Sequence, residues 1–310
     1  MSFLNKKTKT VTEKKVIDGY SDSDNRLSKE DAHRDVQYNI PSTAKQLWII
    51  YMAQMKLYTK GKLPWLFLIF VLFIPIIIYS GQLDSLIQAI LSLAPPTPGN
   101  YLSILLQGLV PMMVLISAMA LAKIIPSEFK DRTAYLNLAL PQSRFTFYLG
   151  KFLAGLTIVL TTFFLVIGLC ILITNGKYGT VSSKDLLNAM ILIFGGLFAL
   201  CGIIYGMSIF FKKGNTILPF IILFMIIPIA IAFLSWKYNF QDLKGYVPVF
   251  AGDYALTLLG DIGSQVSMGS AIGVISNETM PNITLAFITY IIWGIAFLAL
   301  GYYFFKRREM

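Results

Sequence analysis

Apolar residues run almost unbroken through six stretches of this chain, at residues 64–80, 101–125, 145–174, 186–211, 216–236 and 283–305. Wound as helices at about 1.5 Å per residue, they are long enough to cross a hydrocarbon layer roughly 30 Å thick. The pattern predicts an all-α polytopic membrane protein with six transmembrane helices. Pro75, Pro111, Pro219 and Pro228 fall inside the runs, where neighbouring helices must satisfy the freed carbonyls, so kinks are expected. Gly195, Gly196, Ala199, Gly202 and Gly206 give the fourth run a small-residue stripe suited to close packing within the chain, with contact between subunits as the alternative.

The segments between the runs read differently. Residues 1–40 are polar, rich in both charges and poor in large apolar side chains, which predicts a disordered or loosely structured tail. No apolar core follows its early lysines, so a secretory signal peptide is not expected, and its lone His33 has no neighbouring His or Cys with which to hold a metal. In residues 41–63, Ala44, Leu47, Trp48, Tyr51, Met52 and Met55 recur at helical spacing, with Lys45, Gln46, Gln54, Lys56 and Lys60 largely elsewhere. An amphipathic helix lying on the membrane surface is predicted, a soluble helix packed on a partner being the alternative.

Residues 127–151 form the charged, helix-patterned segment between the second and third runs. Pro126 is expected to end the preceding run, Ser127 to cap a new helix, and Glu128 and Asp131 to sit in its first turn, where the helix dipole favours negative charge. Glu128 stands four residues before Arg132, the favourable order for a pair on one face, while Phe129, Leu136 and Leu140 give an apolar side and Pro141 stops the helix. On spacing alone the segment could equally be a solvated connector.

Composition agrees with a membrane protein. Of 310 residues, 56% are hydrophobic and 14% charged, and the mean hydropathy is +0.67, more apolar surface than a soluble core buries. The net charge of +10 does not point to nucleic acid, because the basic residues lie beside apolar runs and not on a compact basic face. The tail through Lys62, then Lys130, Arg132, Arg144, Lys212, Lys213 and Lys306 to Arg308 fall on one side, against Lys177, Lys184, Lys237 and Lys244 on the other. The positive-inside rule then puts both termini in the cytoplasm. Asn277 and Asn282 head glycosylation-type sequons in the outer region 237–282, where glycines interrupt the apolar pattern and predict short helices on or dipping into the outer leaflet. Cys170 and Cys201 lie inside runs and read as packing residues.

The interiors of the runs hold no Asp, Glu, His or Arg, and Lys151 sits near enough to one end to snorkel. Ion-coupled pumps need buried ionisable groups, so that class is disfavoured. No constellation for membrane-embedded hydrolysis is present, and the phosphate-cradling Gly-x-x-x-x-Gly-Lys-[Ser/Thr] does not occur. This chain is not read as an enzyme, and uphill transport would draw its energy from another polypeptide.

Residues 127–151 resemble the cytoplasmic loop of the type-2 permease family of ATP-binding-cassette (ABC) transporters. The matching positions are Glu128, Thr133, Leu136, Leu140, Pro141, Ser143, Arg144, Gly150 and Lys151, with Arg132 where the family usually has Gly. The resemblance implies an elbow helix at residues 41–63, a permease domain over residues 64–310, and a coupling loop at 126–144. There Glu128, Phe129, Arg132, Thr133, Leu136, Leu140, Pro141 and Arg144 would receive force from the ATPase. It also implies two cytoplasmic ABC ATPases, which hold the ATP and Mg, and a second permease, identical or related, in the plasma membrane; no cofactor is expected in this chain. The function so implied is export of a hydrophobic or amphipathic substrate such as a drug, peptide or lipid-like molecule. A non-transporting scaffold or immunity protein is the alternative and a passive channel the third.

Overall fold

The computed structural model describes residues 42–61, 97–130, 143–211, 245–260 and 282–307, with isolated helical positions within 65–73 and 219–234. The described residues are helical, without strands: α1 (Thr43–Lys60), α2 (Pro98–Leu121), α3 (Ile124–Lys130), α4 (Arg144–Tyr178), α5 (Ser183–Ser208), a 3-10 turn (Pro248–Phe250), α6 (Ala251–Leu259) and α7 (Ile283–Arg307). Three of these, α4, α5 and α7, are long and apolar enough to cross a membrane. α4, with 35 residues, reaches about 52 Å, more than a bilayer core requires.

Local chemistry sets the helix ends. Thr97 accepts the Asn100 amide at α2, with Pro98 in the first turn, where a missing N–H costs nothing. The Ser143 hydroxyl accepts the Thr146 amide at 3.1 Å to open α4, and Asn282 Oδ1 accepts the Thr284 and Leu285 amides to open α7. α4 closes at Gly179, whose φ of 96° and ψ of −174° suit glycine alone.

α7 runs along α5, α4 along α2, α6 packs on α5 and α2, and α1 lies on α4. The glycine stripe makes the first of these contacts possible. A Cβ at Gly202 would stand 2.7 Å from the Gly294 carbonyl oxygen, and one at Gly206 would stand 2.2 Å from that of Phe297. Gly301 in turn lies against the Gly206 Cα. Contacts ascend together in the two helices, from Gly195 on Phe287 to Gly206 on Phe297, so α5 and α7 run parallel. Cys170 and Cys201 are buried free thiols.

These contacts define two ends. At one, Gly99 and Asn100 meet Leu259 and Gly260 of α6, Tyr101 packs on Tyr178 with ring centroids 4.4 Å apart, and the Tyr290 hydroxyl donates to the Gly245 carbonyl. At the other lie α1, α3, the start of α4 and the ends of α2, α5 and α7.

Three expectations change. The second run does not end at Pro126: its helix breaks at Ala122 and Lys123, and α3 starts at Ile124 with Pro126 inside its first turn, where proline removes no intrahelical bond. Ser127 is therefore not a cap; its hydroxyl donates to the Ile124 carbonyl at 3.0 Å. The third concerns α1, where Gln54, expected on the polar side, is buried with Ile50 and Tyr58 against the protein while Trp48 and Met52 stay exposed. The reason is that Ile50 finds the bare backbone of Gly150 and the Tyr58 hydroxyl finds the Ala120 carbonyl. The runs at 64–80 and 216–236, Pro75 and Pro228 lie largely or wholly outside the described residues, whereas α2 continues through Pro111.

Candidate coupling site

Glu128 projects from the short helix α3 onto Lys151, two turns into α4, and the two form an ion pair across 23 residues of sequence. Both side chains are withdrawn from solvent, Lys151 to 6% and Glu128 to 14% exposure. The expectation that Lys151 snorkels outward is corrected by this contact; the expected pairing of Glu128 with Arg132 lies outside the described residues. A lysine facing the α3 side of α4 gains more from a carboxylate than from a stretched path to water, because a buried charge needs a partner.

The pair sits among rings. Lys151 Nζ lies 4.5 Å from the Phe147 ring centroid, a favourable position for a cation over an aromatic face. Phe147 stacks on Phe305 of α7 with centroids 6.2 Å apart, and Phe129 of α3 meets the same Phe305 edge-on at 6.2 Å. Tyr148 and Tyr205 close the layer, the Tyr205 hydroxyl donating to the Tyr148 carbonyl at 2.7 Å. α3 is thus joined to α4 by charge and to α7 by aromatic packing.

Of the residues expected in the coupling loop, Glu128 and Phe129 are in this cluster. Arg144 opens α4 and donates to the Lys306 carbonyl at 3.0 Å, on the exposed edge of the same end. Arg132, Thr133, Leu136, Leu140 and Pro141 lie outside the described residues. Phe147 and Phe305 are what sequence reasoning missed, and Lys151, matched in the loop resemblance, was not placed among the coupling residues; the available signal was a single lysine inside an otherwise uncharged run. Asn282 serves as the cap of α7, and Asn277 lies outside the described residues.

Towards the other end, α2, α4, α5, α6 and the 3-10 turn line a partly open cavity of about 70 Å³. Its walls, among them Leu106, Met113, Phe163, Leu197 and Leu256, are predominantly apolar. No group of three or more metal-ligating side chains occurs among the described residues.

Residues 47–310 match the family described as ABC-2 family transporter protein. The chain belongs to that family. No curated protein matches it. An ABC-2 family protein is a multi-pass membrane permease of an ABC system, in which the ATPase is the partner's task. That assignment agrees with the apolar helices and with the missing phosphate-binding loop. The ABC-2 match also covers the whole Glu128 to Lys151 segment, so the ion pair lies inside the family's own region of the chain.

Proposed function

We propose that this chain is the permease subunit of an ABC exporter, working with a second permease and two cytoplasmic ATPases to move a hydrophobic or amphipathic molecule out of the cell. The observation that carries the reading is the Glu128 to Lys151 contact, which fastens a short helix between two apolar helices to the start of α4. Force applied to α3 then reaches α4 through the ion pair and α7 through Phe129 and Phe305. Coupling of this kind requires two arrangements of the helices that nucleotide binding favours unequally.

Six crossings are supported by the directions of the described helices. α1 ends beside the last turn of α2, whereas residue 97 opens α2 at the opposite end, so the chain must travel the length of α2 in between. The parallel arrangement of α5 and α7 asks for another return between residues 211 and 245. The exposed Lys45, Lys56, Lys60, Lys123, Arg144, Lys306 and Arg307 collect at the α1 end, which favours that end as cytoplasmic. An apolar cargo fits the uncharged walls of the cavity beneath α6.

The reading is tested by reconstitution. Alone in liposomes, the chain should hydrolyse no ATP and transport nothing on a proton or sodium gradient; with its ATPase, transport should follow ATP. Gradient-driven uptake by the purified chain would make it a secondary carrier, and ATPase-independent function without transport would make it a scaffold.

A further inference from the structure

α1 carries a second surface that the coupling site does not use. With Ile50, Gln54 and Tyr58 turned into the protein, the opposite side presents Trp48 at 56% exposure beside exposed Met52, and next to them a strip of exposed lysines. Lys45, Lys56 and Lys60 are spaced 11 and 4 residues apart, which at about 100° per residue confines them to roughly a sixth of the helix circumference. Trp48 and Met52, one turn apart, border that strip directly, exposed Ile49 lies within it, and exposed Leu57 lies beyond Lys60. Trp48 is also stacked on Tyr51, with centroids 5.5 Å apart, which holds the indole in place.

With α1 along the membrane surface, as its pattern predicts, and Trp48 and Met52 among the acyl chains, we propose that the Lys45, Lys56 and Lys60 strip binds the phosphate-bearing headgroups of anionic lipid. An aromatic and a thioether beside a row of cations match the two layers of a bilayer surface, apolar below and anionic above. Charge complementarity supports the lipid as occupant. Among the described residues Glu128 is the one carboxylate at this end, and it is engaged by Lys151, whereas Arg144, Lys306 and Arg307 add further exposed cations. Phe145 and Phe304, exposed beside them, continue the apolar level around the end of the helices. The inference rests on the interfacial position expected of α1 and stands whether or not the chain couples to an ATPase.

The test uses the full chain in nanodiscs of equal phosphatidylglycerol and phosphatidylcholine, with the lipids retained after gentle extraction read by native mass spectrometry. Each lysine near an anionic surface strengthens the attraction about fivefold. Wild type should therefore retain phosphatidylglycerol at least about fivefold over phosphatidylcholine, and K45Q/K56Q/K60Q should bring the ratio close to parity. K45R/K56R/K60R should keep the preference, separating charge from loss of fold. Inorganic phosphate should displace no more lipid than chloride of equal ionic strength; specific displacement would make the strip a free-anion site and overturn the proposal. Equal retention of both lipids by wild type, or an unchanged ratio in the glutamine variant, would also overturn it. A nitroxide on Met52→Cys should report acyl depth. Acyl depth without lipid preference would defeat the headgroup claim alone, and a water-exposed nitroxide would defeat the interfacial position as well.

Discussion

Glu128 of α3 and Lys151 of α4 form an ion pair almost entirely removed from solvent, between residues that the chain separates by the whole of one interhelical loop. Such a pair contributes little net stability when intact, since the Coulombic gain is offset by desolvation. Breaking it is a different matter, because one charge is left buried. Glu128→Gln or Lys151→Met should each lower stability by about 3–5 kcal/mol, seen as a clear fall in Tm in detergent. Glu128→Leu with Lys151→Met should recover most of that loss. Equal Tm values for wild type and the single variants would mean that the charges are solvated.

The glycine contact between α5 and α7 gives a sharper steric test. A Cβ at Gly206 meets the Phe297 carbonyl oxygen at 2.2 Å, a backbone atom that has no rotamer to escape through. Gly206→Ala should cost at least about 1–3 kcal/mol by overpacking. Gly168→Ala meets nothing within 4 Å and should be neutral or slightly stabilising. Thermal unfolding of the two variants side by side decides it; equal melting would contradict the parallel packing.

Burial pushes the Tyr58 hydroxyl above the ordinary tyrosine value of about 10, and it donates to the Ala120 carbonyl. A raised folded-state value means that the contribution of Tyr58 is complete below about pH 10 and is lost as pH climbs above that towards the folded-state value. Wild type should therefore lose stability in this alkaline window more steeply than Tyr58→Phe. The variant itself should cost about 1 kcal/mol at neutral pH by orphaning the carbonyl. Parallel pH profiles would show that α1 is not docked through Tyr58.

Orientation is checked by labelling intact cells with a membrane-impermeant thiol reagent. The native Cys170 and Cys201 are buried and should contribute little background. Cysteines at Ser143 and Lys213 should be protected, and those at Asp84, Lys177 and Asn277 should react. Labelling of the Ser143→Cys variant from outside would invert the topology and remove the coupling site from the cytoplasm.

The helices that could be read from sequence were those whose length and apolarity leave no alternative. The run at 145–174 appears within Arg144–Tyr178, 186–211 largely within Ser183–Ser208, and 283–305 within Ile283–Arg307. The glycine stripe was legible for the same reason, since its spacing on one helix face is local information. The contact of Glu128 with Lys151 was not. Spacing rules rank Arg132 first because it is four residues away, and nothing local reports that α4 returns beside α3 with Lys151 facing it. Nor could the docked face of α1 be chosen, because Ile49 and Ile50 make the helix apolar on both sides and only Gly150 and Ala120, far along the chain, select Ile50 and Tyr58.

The central claim is that the Glu128 and Lys151 contact carries force from the ATPase into α4. It is tested most directly by measuring ATP-driven transport and ATP hydrolysis together in proteoliposomes that hold the chain and its ATPase. The paired Glu128→Leu and Lys151→Met variant, compared with wild type at matched Tm, should retain ATPase binding and hydrolysis while transport per ATP falls at least about tenfold, the equivalent of about 1.4 kcal/mol of lost coupling. Undiminished transport per ATP in that variant would contradict the account.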